Sequence, residues 1–250
     1  SLCRNNGPNH LHGGPHGFDQ RVWTHELLPD GVRFRLVSPD GDQGYPGTLT
    51  AAVTYRLLPG QRLDITYEAR SDRDTLCNLT NHSYFNLNGS GDILGHILSV
   101  DADSFTENDE NCLPTGRILP VEGTPFDFHS PKAVGRDINA PDPQLLPFGG
   151  YDHNFVVSGA GKRHAARLFS PESGIVMDVF TTTPGMQVYT ANSLAPCRGM
   201  NGAEYGRYSG ICLETQFFPN AMACDNFEKP ILRAGDVWHQ ETVFEFPIAE

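Results

Sequence analysis

The chain has 250 residues, with 30 acidic against 18 basic and a formal charge of -12. That balance argues against a nucleic-acid partner, which would need a basic face, and it disfavours a polyphosphate ligand. No apolar run approaches the roughly 18 residues that cross a bilayer, and no charged-then-apolar leader opens the chain, so no membrane partner is expected.

The first segment, Asn5–Trp23, reads NNGPNHLHGGPHGFDQRVW, a polar loop with His10, His12 and His16 among glycines. Thr50–Leu58 then alternates, with Ala51, Val53, Tyr55 and Leu57 on one face, and Leu63, Ile65, Tyr67 and Ala69 repeat the pattern after Pro59–Gly60. A period of two on both sides of a tight turn predicts a β-hairpin. A second polar string, TNHSYFNLNG, places His82 beside Asn81, Tyr84, Phe85 and Asn86, and a third, GGYDHNFV, carries Asp152 and His153. Arg163–Phe180 predicts another hairpin: Ala165, Arg167 and Phe169 alternate, Pro171–Gly174 turns, and Ile175, Met177 and Val179 continue. The fourth polar string, LETQFFPNA, holds Glu214 and Gln216, and Val237–Phe246 predicts a late strand.

Helical periodicity is hard to find, and the 26 glycines and 19 prolines punctuate the whole length without forming a linker. The expected fold is all-β, an antiparallel sandwich or barrel in a single domain over 1–250, with long loops carrying the polar residues. The cysteines (Cys3, Cys77, Cys112, Cys197, Cys212 and Cys224) include no C-x-x-C pair. They read as free thiols in a reducing compartment, so a cytoplasmic location is expected.

Each polar string mixes hydrogen-bonding side chains with an aromatic, the composition of a sugar site. Glu214 stands out further. An ionised carboxylate inside the apolar stretch ICLETQFF needs a partner or a purpose. His10, His16, His25, His129, His153 and His239 read as structural or solvent-facing, and Phe85, Phe155 and Phe217 read as core.

Taken together, NHLHGG, GFD followed by Trp23, TNHSYFNLNG, DHNFV, PGMQVYT and ETQFFPNA resemble the aldose 1-epimerase (galactose mutarotase) family in content, order and spacing. The resemblance covers nearly the whole chain. It implies a large twisted antiparallel β-sandwich, the galactose mutarotase-like supersandwich, and an isomerase that interconverts the α and β anomers of galactose or glucose. It implies that His82 is the general acid and Glu214 the general base. His12, Asp152 and, from a shorter motif, Gln187 match positions that hold sugar hydroxyls. The implied partner is a small monosaccharide, bound by a monomer or homodimer.

The chemistry suits these residue types. Mutarotation removes the O1 proton and protonates the ring oxygen O5; the C1–O5 bond breaks, C1 rotates, and the ring closes on its other face. No electron sink, hydride carrier or metal is required, so no cofactor and no metal are expected. A carboxylate of ordinary pKa is a base at neutral pH, and an imidazole beside it can pass a proton to O5 and take it back.

Three other readings fit parts of the pattern. His10-x-His12-x₃-His16 resembles the ligand cluster of a cupin-type metal enzyme. A non-catalytic sugar-binding relative would have lost His82 or Glu214, and both are present. A hexose-6-phosphate epimerase would need a basic cluster, for which Arg198 and Arg207 are the local candidates. The family also carries several strands, and a sugar-contacting arginine, ahead of its NHLHGG motif, whereas here that motif begins at Asn9. The expectation is therefore an N-terminally truncated domain, as a fragment, a processed piece or a natural short form; in the last case exposed strand edges favour association with a partner such as the missing segment.

Overall fold

Apolar and β-branched residues at alternate positions, broken by glycine and proline turns, dictate short extended strands. The computed structural model describes residues 1–199 and 202–248. Among the described residues the helical segments are brief 3₁₀ turns at Phe18–Gln20, Asp42–Gly44 and Ala221–Ala223. The chain divides into two compact units, the first built from Ser1–Leu79 and Pro230–Glu241, the second from Thr80–Lys229 and the chain after Thr242.

In the first unit β1 (Thr24–Leu28), β2 (Gly31–Ser38), β3 (Leu49–Leu58) and β4 (Arg62–Ser71) form an antiparallel meander in chain order. The hairpin predicted around Pro59–Gly60 is present, with Gly60 at φ 84° in the left-handed region that glycine tolerates best. Cross-strand ion pairs join Arg33 to Glu68 and Arg56 to Asp30, both at 2.6 Å. β5 (Thr75–Leu76) closes the amino-terminal part of this unit.

The second unit begins with β6 (Ile97–Val100), β7 (Ser104–Asn108), β8 (Pro114–Pro120) and β9 (Lys132–Ala133). It continues through β10 (Asp152–Val156), β11 (Arg163–Phe169), β12 (Val176–Thr181) and β13 (Gly185–Tyr189). The short β14 (Cys197–Arg198) and β15 (Glu204–Tyr205) pair with each other, and β16 (Cys212–Gln216) follows. β17 (Ile231–Leu232) belongs to the first unit, where it pairs with β5, and β18 (Trp238–Glu245) is the predicted late strand. Two antiparallel sheets build the second unit: β12, β11, β6 and β9, flanked by Thr242–Glu245 of β18, and β16, β13, β10, β7 and β8. The fold is all-β, as expected.

The predicted hairpin Arg163–Phe180 forms as β11 and β12, but its phase differs from expectation. A bulge between His164 and Ala166 shifts the register. Ala166 and Leu168 therefore face inward opposite Val179 and Met177, while Arg167 points out and pairs with Asp178 at 2.6 Å. One extra residue in a strand reverses the faces beyond it, and nothing in plain alternation announces the insertion.

The core of the second unit is aromatic. Phe105 stacks on Phe126 at 4.1 Å between ring centroids, Tyr151 meets Phe126 edge-on, Phe155 lies tilted against both, and Phe128 meets Tyr151 and Phe155 edge-on. His153 is fully buried in this cluster, its ring 4.7 Å from Phe126 and 5.5 Å from Phe148. Phe155 and Phe217 are core, as the sequence suggested, and Phe85 packs on Phe244 at 4.9 Å.

Candidate active site

Register places the site. In the β16–β13–β10 sheet, Asn154 lies opposite Gln187 and Gln187 opposite Glu214; Asp152 lies opposite Tyr189 and Tyr189 opposite Cys212. Side chains alternate along a strand, so Asp152 and Asn154, Gln187 and Tyr189, and Cys212, Glu214 and Gln216 all share one face. The other face carries His153, Phe155, Met186, Val188 and Leu213, all buried in the core. DHNFV, GMQVY and CLETQ are thus three strands that each put polar groups on one side and core on the other. Gly185 completes the face by yielding space: a Cβ there would lie 2.5 Å from Asn154 Oδ1 and 2.8 Å from the Phe218 ring.

His82 reaches this face from the TNHSYF segment. That segment is clamped to the start of β16 by reciprocal backbone bonds between Phe85 and Ile211, at 2.8 and 2.9 Å. Asn86 locks the following turn by donating to the carbonyls of Ser90, Gly91 and Ser209. His82 Nε2 then sits 3.6 Å from Glu214 Oε1. Tyr84 stacks on the imidazole at 5.0 Å between centroids, and Tyr189 meets it edge-on at 6.1 Å.

Asp152 is oriented by two donors: Gln187 Nε2 donates to its Oδ1 at 2.7 Å, and the Cys112 thiol approaches Oδ2 at 3.7 Å. Gln216 Nε2 in turn donates to Gln187 Oε1 at 3.3 Å. The structure therefore brings together four of the five predicted residues: His82, Asp152, Gln187 and Glu214. It adds Asn154, Tyr84, Tyr189 and Cys112 around them. The first three of these were readable as neighbours of the predicted residues in the same strings. Cys112 was not, because it comes from the β7–β8 turn, far from Asp152 in sequence.

His12, the fifth, lies in the first unit, exposed in a tight loop. Asn5 clasps that loop, its side chain donating to Leu11 O at 2.9 Å and accepting from Leu11 N at 2.8 Å. His12 takes the left-handed conformation at φ 50°, uncommon for a residue with a side chain. A Cβ on Gly17 would lie 2.4 Å from the His12 carbonyl, so the glycines of this motif allow the chain to fold back on itself.

The electrostatics differ from the reference values assumed from sequence. Burial, reinforced by the Asp152 carboxylate, pushes Glu214 up to about 8. Burial also pushes His82 below the ordinary imidazole value, against the pull of Asp152. Asp152 itself is raised by burial, opposed by its hydrogen bonds from Gln187 and Cys112. A proton bound between His82 and Glu214 thus neutralises a pair that two close carboxylates and a dry environment would otherwise make costly.

The three-histidine metal reading does not gather. His10 has both ring nitrogens engaged, Nε2 with the Tyr45 hydroxyl at 2.7 Å and Nδ1 with the Cys3 carbonyl at 2.5 Å. Among the described residues, the group whose possible ligand atoms converge is His82, Cys212 and Glu214. The two arginines considered for a phosphate have other contacts: Arg207 donates to Gly149 O at 2.7 Å, and exposed Arg198 lies 4.0 Å from Glu204.

Comparison with known proteins identifies the family. The aldose 1-epimerase family model matches residues 1–245. The chain is 44% identical to galactose mutarotase of Sus scrofa over 99% of its own length and 72% of the relative's. It is 39% identical to aldose 1-epimerase of Escherichia coli K12, covering 73% of that protein. Among solved structures, an aldose epimerase homologue from C. elegans superposes with a TM-score of 0.91 at 34% identity, over 98% of this chain and 74% of that one. Galactose 1-epimerase from Lactobacillus acidophilus superposes at 0.88 with 31% identity, over 100% and 73%. The family model over residues 1–245, with 44% identity to a galactose mutarotase along nearly the whole chain, shows that this chain belongs to the aldose 1-epimerase family.

Proposed function

We propose that the chain interconverts the α and β anomers of free hexoses, galactose and glucose among them, with His82 and Glu214 as its proton-transfer pair. The observation that carries this reading is the 3.6 Å approach of His82 Nε2 to Glu214 Oε1 at the edge of a polar sheet face. The pair is poised to hold one proton near neutrality, since Glu214 is raised and His82 lowered. One proton is what the reaction uses. With the proton on His82, Glu214 accepts the O1 proton while His82 gives its own to O5, and C1–O5 breaks to the aldehyde. After rotation about C1, Glu214 returns a proton to the carbonyl oxygen and His82 removes one from the attacking hydroxyl. The pair ends as it began.

Asp152, held by Gln187 and Cys112, accepts from sugar hydroxyls, and Gln187 and Asn154 offer further polar contacts on the same face. His12 is carried as a hydroxyl-binding residue on its motif alone. A single domain over the chain is supported by the family match over residues 1–245. No helix among the described residues is long and apolar enough to cross a membrane. The six cysteines are free thiols, which supports a reducing, cytoplasmic setting.

The test is polarimetry of freshly dissolved α-D-galactose with wild type, His82→Gln and Glu214→Gln. Each substitution should lower kcat by roughly 10²–10⁴-fold, the usual worth of a general acid or base. Sugar binding, followed by ligand-detected NMR, should survive in both. A Glu214→Gln enzyme turning over at the wild-type rate would refute the assignment.

A further inference from the structure

We propose that His82, Cys212 and Glu214 form a site for a thiophilic divalent cation, zinc above all, whose binding switches the active site off. This rests on the function proposed above for what it regulates, though not for its existence. Cys212 and Glu214 are two residues apart on the same face of β16, and His82 meets them from the TNHSYF segment. Their possible ligand atoms, one sulfur, one nitrogen and one oxygen, all lie within 4.8 Å of one another. The His82–Glu214 separation is 3.6 Å. Tetrahedral zinc with bonds of about 2.0–2.3 Å sets its ligands roughly 3.3–3.8 Å apart, so small side-chain movements complete the geometry.

The oxygen ligand is unusual in its surroundings. The Glu214 side chain is only 5% exposed, and His82 Nε2 faces its carboxylate from 3.6 Å. A carboxylate this buried needs its charge met by a proton, a substrate hydroxyl or a cation. Asp152, close enough to act on both Glu214 and Cys212, adds negative potential. His82 is a third exposed and gives access from solvent. Three protein ligands leave a fourth position for water, the arrangement of an open zinc site. The sulfur sets selectivity: zinc and cobalt suit thiolate and imidazole, whereas magnesium and calcium want oxygen cages. On binding, the thiol proton and any proton on Glu214 pass to solvent. The acid and the base are then both ligands, and neither can serve the sugar.

The experiment titrates EDTA-treated, dialysed chain with Co²⁺ and then Zn²⁺. We expect a near-ultraviolet thiolate-to-cobalt charge-transfer band that saturates at one Co²⁺ per chain and is abolished by Zn²⁺. Mutarotation of α-D-galactose should fall at least tenfold at saturating zinc and return with EDTA. Cys212→Ala should show no band and, relative to its own rate in EDTA, need at least about tenfold more zinc for half inhibition, as loss of a metal contact implies. Cys212→Ser, which keeps a small polar group, serves the same purpose if the alanine variant is unstable. Wild type without a thiolate band, or zinc inhibition unchanged in either cysteine variant, would overturn the proposal. A wild-type chain inactive in EDTA would sink the mutarotase reading instead, and the cobalt band would still decide the metal site.

Discussion

At the scale of single residues, Glu214 carries the most information. Sequence alone marks it as an acid in an apolar stretch; the structure shows that its burial raises it to about 8. Its base form is thus scarce at neutrality unless His82 takes the proton. kcat/KM should follow a bell in pH, falling above about 8 as the pair loses its one proton. The acid limb should lie below the ordinary imidazole value, because burial lowers His82. Asp152→Asn removes the carboxylate that helps raise Glu214, so the alkaline limb should move to lower pH while KM rises. Initial-rate polarimetry across pH reads both effects; an alkaline limb unmoved in Asp152→Asn would contradict the coupling. Stability follows the same residue. A carboxyl at 4.5 when unfolded and about 8 when folded supports the fold below 4.5 and loses that support as pH rises through 8. Glu214→Gln should therefore gain in Tm over wild type as pH climbs through that window, measurable by calorimetry.

At the scale of elements, the site is a consequence of period-two alternation in β10, β13 and β16. A strand such as DHNFV could be read from sequence, and so could its neighbours. What could not be read was which strands pair, since β10 and β16 both hydrogen-bond to β13 from distant parts of the chain. Nor could the bulge at Ala165, which reverses the predicted faces of β11. Cys112 was invisible for the same reason, reaching Asp152 through a hairpin turn. The apolar side of the site sheet makes its own predictions. Phe126→Ala, which empties a position stacked on Phe105, should cost about 3–5 kcal/mol in denaturant unfolding. His153 is held neutral in this core, burial pushing it down to about 3. Its support for the fold is intact above the unfolded value of 6.5 and is lost as pH falls toward 3. His153→Asn should therefore show a shallower loss of urea midpoint on acidification than wild type.

At the scale of the molecule, fold class and family were legible because both rest on local patterns: alternation, turns and the long motif strings. The division into two compact units was not, since it depends on Pro230–Glu241 returning to the amino-terminal strands. The charge of -12 also acts at this scale. A hexose 6-phosphate should compete with free hexose at least tenfold more weakly than the parent sugar, since the long-range field repels it. An equal inhibition constant, measured by competition during mutarotation, would argue for the phosphosugar reading. The chain matches 72% of the length of the Sus scrofa galactose mutarotase. The central claim is that the His82–Glu214 pair on this face opens and closes hexose rings. Polarimetry of freshly dissolved α-D-galactose and α-D-glucose with the purified 250-residue chain tests it directly. The account predicts a drift to the equilibrium rotation that accelerates in proportion to enzyme; folded protein that leaves both sugars at the buffer rate would contradict it.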